Sequence, residues 1–417
     1  MQQTDNHQTI LKISMQKKTT AKKIARKLAN VVHALSGKQK PTSMAALSLD
    51  NAKAIYGSRP DVHIHHFVRE SDFVFEPPKH LPEDSVFEGY PSTFSNAPGK
   101  YDAVLLDIRN PQFSFQHNHL IDDLNRPIYE ACVPFKRLPI QHEYLIMPPR
   151  LNGTVAYFSN TRPNHYGHWI QAQLPLLLSY WETFGKDNID YYYVGDGPVA
   201  DFAEESMAKM GIKRSQLVNY PCRADRSLIS VACRDLDEGS LRTGFGLDKS
   251  SHRFMQENLF KPQPGQYAKK IYVMRGNVTV RRELNLAETK AALEPHGFVF
   301  MDMEGKTMQQ EADIFGNADV IIAVHGSALH NTLFCRPHTK IVEIFPYGYY
   351  DDSNHNLCSY SECEYHYLIG EKLSQGIVGA SHAVRNNVDI KIDTEKLLRL
   401  CRETDIIPAH QSVFAKA

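Results

Sequence analysis

The chain has 417 residues, of which 42% are hydrophobic, so it is too long for one ordinary core and apolar enough to fill two. Lys plus Arg and Asp plus Glu number 47 each, a balance that excludes the basic surface of a general nucleic-acid binder. The 7 cysteines are scattered without a CxxC pair, and no apolar run reaches the length of a membrane-spanning helix.

The charge balance is not local. No acid lies between Asp5 and Asp50, and residues 17–40 hold most of the early positive charge. A helix over Lys17 to Leu35 would carry Ile24, Leu28, Val31, Val32 and Leu35 on one face, with Lys18, Lys22, Lys23, Arg26 and Lys27 around the other. Such a basic amphipathic helix suits an anionic membrane surface. A solvated tail or an oligomer contact is the plain alternative.

From Asp50 to Leu151 the pattern is loop-rich and mostly β. Strands are expected at Val62 to Val68, Phe73 to Glu76, Tyr101 to Ile108 and Tyr144 to Met147, between the proline pairs Pro77-Pro78 and Pro148-Pro149. The pattern then turns α/β. A strand at Thr154 to Phe158 leads into helical periodicity from His165 to Trp181, followed by a strand at Tyr191 to Val194 and a helix at Val199 to Met210. Strands at Gln216 to Tyr220 and Leu228 to Ala232 close this half.

A helix around Ser251 to Phe260 and the Pro-rich loop after Lys261 lead to a second α/β half. There, strands at Lys270 to Met274 and Phe298 to Asp302 alternate with helices at Leu286 to Leu293 and Thr307 to Asn317. Val320 to Val324 is an apolar run of the kind a buried parallel strand shows. It stops at the elbow His325-Gly326-Ser327, before a helix over Ala328 to Cys335 and a strand over Lys340 to Phe345 that carries Glu343. A helix at Asp393 to Arg402 is expected to pack back across the domain boundary. The divisions are residues 1–47, 48–240, 241–385 and 386–417: a basic extension, two halves that face a cleft and the crossing helix.

Three clusters carry chemistry. The elbow after Val324 aims backbone N–H groups at one spot, where phosphate binds well, and an acid on the next strand suits a ribose. His325, Ser327, His330 and Asn331 crowd it, a costly polar load beside a buried strand unless each finds a partner. A second cluster, Asn164-His165-Tyr166-Gly167-His168-Trp169, sits at a loop-to-helix junction, where a histidine can take a hydroxyl proton near neutral pH. The third is Arg275, Arg281 and Arg282 beyond a strand end, where guanidinium forks match phosphate oxygens. A scaffold turn, helix capping and a solvated basic loop are the respective bland readings. Asp351-Asp352 reads as a solvated loop.

In this order and spacing the motifs resemble the glycosyltransferase family 61 (DUF563) pattern: Asn164 to Trp169 with Leu174-Pro175, Arg281-Arg282 before Asn285, His325 to Asn331, then Glu343. The resemblance covers roughly residues 100–405. It implies a GT-B-like α/β fold of two Rossmann-like domains facing a cleft, and an inverting transfer from a nucleotide sugar with neither metal nor cofactor. By the same resemblance Arg275, Arg281, Arg282, His325, Gly326, Ser327, Asn331 and Glu343 would hold the donor. His168 first and His165 second would serve as base, with Asn164, Tyr166 and Trp169 on the acceptor side. Relatives carry an acid where this chain has Ala172, which strengthens a histidine base and also keeps open a nucleotide-sugar-binding module without transfer. The acceptor implied is an oligosaccharide or lipid-linked glycan of a bacterial capsule or lipopolysaccharide, and the scattered cysteines point to the cytoplasm or the inner face of the plasma membrane.

Overall fold

The computed structural model describes residues 62–70, 76–84, 100–113, 120–121, 148–158, 164–195, 197–234, 242–243, 247–276, 278–349, 351–373 and 387–409. The basic helix expected in the extension, residues 73–75 and the strand expected at Tyr144 to Met147 lie outside them.

Two sheets organise the described residues. The second in chain order runs Phe298–Asp302, Lys270–Met274, Val320–Val324, Lys340–Phe345, Glu364–Ile369, with every neighbouring pair parallel. Ile321 and Ala323 join one apolar cluster, while Val320, Ile322 and Val324 join another on the opposite face. Both faces are covered, so this strand reads as an unbroken apolar run rather than as alternation. The helix Met308–Asn317 starts at a reciprocal cap between Thr307 and Gln310 and buries Met308, Ala312 and Phe315.

The strand order decides where a ligand can enter. From Lys270–Met274 the chain goes first to Phe298–Asp302 on one side, then returns to Val320–Val324 on the other. That reversal opens a crevice beyond the carboxyl ends of Lys270–Met274 and Val320–Val324, the place where open α/β sheets take ligands.

The first sheet has nine strands and is mixed. Val62–Glu70, Lys100–Arg109 and Arg223–Arg234 pair antiparallel, whereas Arg150–Tyr157, Tyr191–Tyr193 and Leu217–Val218 continue in parallel. Among the described residues the first sheet is therefore mixed, and the all-parallel arrangement belongs to the second sheet. The core is shared as well: one apolar cluster runs from Phe158, Trp169 and Tyr180 to Phe315, Ile321 and Phe345.

Two segments depart from the expected divisions. Residues 76–84 lie on the edge of the second sheet, where Lys79 bonds both Tyr365 and Tyr367 through the backbone and Asp84 pairs with Lys396. The helix Thr394–Glu403 buries Leu397, Leu400 and Cys401 against Tyr272, Val320 and Ile322. It covers its own sheet rather than crossing to the first, because its apolar stripe completes that face.

Candidate active site at the switch point

Arg275 follows Lys270–Met274 and His325 follows its neighbour Val320–Val324, so both stand at the crevice. Arg275 Nη1 donates to the His325 carbonyl at 2.7 Å, and the guanidinium covers Gly326. A Cβ on Gly326 would sit 2.3 Å from Nη1. The backbone there is extended, φ 175, so the glycine serves this close approach and not a left-handed turn.

Arg281 has φ 53, a left-handed conformation that a residue with a side chain adopts at a cost. Its charge lies near Tyr349, Asp351 and Glu343. Burial pushes Arg275 down to about 10, and the neighbouring Arg281 adds to the effect. Burial also lowers Arg281, against the pull of Tyr349, Asp351 and Glu343. The Nε atoms of both are buried without an acceptor among the described residues. Two neighbouring guanidinium groups with buried, unbonded donors are unfavourable alone and suit an anion. Arg282 is different. It is exposed and forks onto Asp389 at 2.6 Å, so it does not join its two neighbours at the crevice as the sequence suggested.

Glu343 also departs from expectation. It is fully buried behind His325, not open to a ribose. Oε1 lies 2.5 Å from His325 Nδ1 and accepts from Asn354 Nδ2 at 2.7 Å, while Oε2 accepts from the Tyr365 hydroxyl. The His325 ring stacks on Phe345 and tilts against Tyr349, both at 5.2 Å between centroids.

Ser327 opens a 3₁₀ helix, Ser327–Phe334, in place of the expected α-helix. Its three-residue turn sets His330 above Ser327, and His330 Nδ1 donates to the Ser327 carbonyl at 3.1 Å. Burial, then the charge of His165, drives His330 down to about 3. Its ring meets the first half: a Cβ on Gly167 would lie 2.9 Å from His330 Cε1 and 3.4 Å from His165 Cε1. The rings of His165 and His168 are 4.5 Å apart, so three histidines gather at this contact.

The periodicity of His165 to Trp181 resolves into a short α-turn, Tyr166–His168, a π-turn, Trp169–Gln173, and the helix Leu176–Phe184. His165 caps it, with Nδ1 accepting from the His168 N–H at 3.4 Å. Asn164 is exposed before it. Trp169 is wholly buried and donates to Ser206 Oγ at 2.9 Å, so it is core rather than acceptor-facing. Beside Ala172, Gln171 donates to the Ser353 carbonyl at 3.0 Å and ties this turn to the loop of Asp351.

Asn331 is likewise buried and accepts from the Tyr166 hydroxyl at 2.5 Å, so it joins the two halves instead of facing a donor. Glu311 lies against this pair. Burial, only partly offset by Asn331 and Tyr166, raises it to about 7. Burial and then Glu311 hold the Tyr166 hydroxyl well above its ordinary value.

Asp351, which the sequence suggests is in a solvated loop, has its charge facing His325 and His330. Burial would raise it, and His325, Ser353 and His330 outweigh that and hold it below the usual carboxylate range. Nothing in the local sequence marks Asp351. Glu311 does carry a signal, since it shares the buried face of its helix with Met308, Ala312 and Phe315. Among the described residues no helix is long and apolar enough to cross a membrane, and no cluster of three or more His, Cys, Asp or Glu could hold a metal ion.

Comparison with known proteins bears on this segment. A beta-1,2-xylosyltransferase of Oryza sativa subsp. japonica, XAX1, is 33% identical over 191 residues, which make up 45% of this chain and 31% of that protein. The chain therefore spans about a third of that relative's length. A flavodiiron protein from Giardia intestinalis aligns over 58% of this chain and 52% of its own, at 11% identity and a TM-score of 0.20. A D-isomer specific 2-hydroxyacid dehydrogenase family protein from Klebsiella pneumoniae 342 aligns over 64% and 97%, at 10% identity and 0.18. Scores this low carry no structural argument. Residues 166–342, from the tyrosine that joins the halves to one residue short of Glu343, match the family Glycosyltransferase 61.

Proposed function

We propose that the chain is a glycosyltransferase that moves a sugar from a nucleotide-sugar donor to a hydroxyl of a glycan acceptor. The observation that carries this reading is the pair Arg275 and Arg281 beside the His325-Gly326-Ser327 elbow, whose buried Nε atoms meet no acceptor among the described residues. The pair supplies positive charge where a leaving diphosphate gains negative charge, the role for which no metal is invoked. The family match over residues 166–342 supports the same chemistry.

Transfer is taken to be inverting, with a histidine receiving the acceptor proton; His168 and His165 are the residues favoured by the motif. A surface glycan is the acceptor class, on the resemblance alone. The named activity of the rice relative makes a xylose nucleotide the first donor to try.

The test is thermal stabilisation by a panel of nucleotide sugars with EDTA present, followed by release of nucleoside diphosphate in the presence of glycan acceptors. A donor that raises the midpoint by mass action and is consumed with acceptor supports the proposal. Binding without release in any acceptor screen leaves a nucleotide-sugar-binding module, the alternative that Ala172 keeps open.

A further inference from the structure

We propose that His325 is the proton acceptor of the transfer and that Glu343 is its positioning residue. This rests on the glycosyltransferase reading and moves the base from the histidine cluster of the first half to the switch point of the second sheet.

The argument is a hydrogen-bond inventory. Glu343 is fully buried, and its partners Asn354 Nδ2 and the Tyr365 hydroxyl both donate to it. A carboxylate so surrounded accepts on both oxygens, so the proton between Glu343 and His325 belongs on Nδ1. Nε2 then carries the lone pair. The ring cannot swing away, because Phe345 and Tyr349 pack on it and Arg275 holds its carbonyl. A buried carboxylate that fixes tautomer and orientation and stabilises the imidazolium formed on proton uptake is the logic of the hydrolase triad.

Two neighbouring imidazoles are less suited. His165 Nδ1 accepts the His168 N–H, so its own ring proton sits on Nε2 in the neutral form. His330 is driven down to about 3 by burial, too weak a base for a sugar hydroxyl. Around His325 stand Glu343, Asn354 and Tyr365 behind the ring, Arg275 and Arg281 from the loop after the first strand, Tyr349 and Asp351 from the loop after Lys340–Phe345, and His330 from the turn beyond.

In the step itself the acceptor oxygen bonds to the anomeric carbon as that carbon's bond to the diphosphate oxygen breaks. The bonding pair leaves on the nucleoside diphosphate, against Arg275 and Arg281. The hydroxyl proton passes to His325 Nε2 and is later lost to solvent.

Two measurements decide it. Ring-nitrogen NMR of the full chain, which needs no substrate, is expected to show His325 protonated at Nδ1 in its neutral form; an Nε2–H form overturns the proposal. Then His325→Gln and Glu343→Gln are compared with the parent chain for donor binding by calorimetry and for transfer. His325→Gln is expected to keep donor affinity while its transfer rate falls about 10² to 10⁴-fold. Glu343→Gln is expected to lower kcat at unchanged KM and to move the acid limb of the pH–rate profile, with partial rescue in Glu343→Asp. If His325→Gln instead loses donor binding and retains kcat, His325 is a donor ligand and the proposal falls. A parent chain that binds donors yet never transfers removes the base along with the reaction, whatever the NMR shows of the ring.

Discussion

The Tyr166 hydroxyl donates to Asn331 Oδ1 at 2.5 Å, joining the capped turn of the first half to the 3₁₀ helix behind the elbow. Asn331 is fully buried, so this bond is a joint between two halves of one core and not a surface contact. Tyr166→Phe leaves the amide oxygen without a donor in a dry place. The expected loss is about 1–3 kcal/mol in urea unfolding, with a larger KM than kcat effect as the halves loosen.

Glu311 gives the joint a pH dependence. Its carboxyl is raised from 4.5 to about 7 in the fold, mainly by burial, with Glu205 adding and Lys306 opposing. The folded chain therefore holds this proton more tightly than the unfolded one. The associated stability is full below pH 4.5 and is lost as pH rises through 7, by at most about 3 kcal/mol. Glu311→Gln should flatten the pH dependence of the unfolding free energy over that window. An unchanged slope would mean that Glu311 is not the group responsible.

The arginines separate by environment. Arg275→Ala and Arg281→Ala each remove a buried guanidinium and should weaken donor binding at least tenfold, about the value of one charge-assisted hydrogen bond. Arg282→Ala breaks only the exposed fork onto Asp389 and should leave donor affinity unchanged. Calorimetry with the donor found in the thermal screen reads all three.

Gly326→Ala places a methyl 2.3 Å from Arg275 Nη1, so the guanidinium must leave its seat on the elbow. Overpacking of this kind costs about 1–3 kcal/mol. Removing the obstructing arm should recover part of it, so Gly326→Ala with Arg275→Ala is expected to be less destabilising than the sum of the two. Additive losses in the double-mutant cycle would show that the two residues do not meet.

Much of the second half was legible before any fold was known. Val320 to Val324 was readable as a buried parallel strand because helices cover both faces and leave no polar alternation. The elbow after it, and Arg275 beyond the neighbouring strand, followed from strand ends alone. What could not be read is direction and distance. Arg281 and Arg282 are adjacent in sequence, yet the left-handed backbone at Arg281 keeps one at the crevice while the other turns to Asp389, 107 residues along the chain.

The sequence by itself determined which residue types could handle a phosphate or a proton, and that the chain would mix helices with parallel strands. The tertiary structure alone decided that Glu343 stands behind His325, that Asn331 joins the halves, that Trp169 is core, and that Asp351 faces the histidines. The reason is physical. Periodicity reports which face of an element is buried, but a polar side chain's role depends on which partner meets it across the core, and those partners come from strands and turns whose register only the assembled sheets impose.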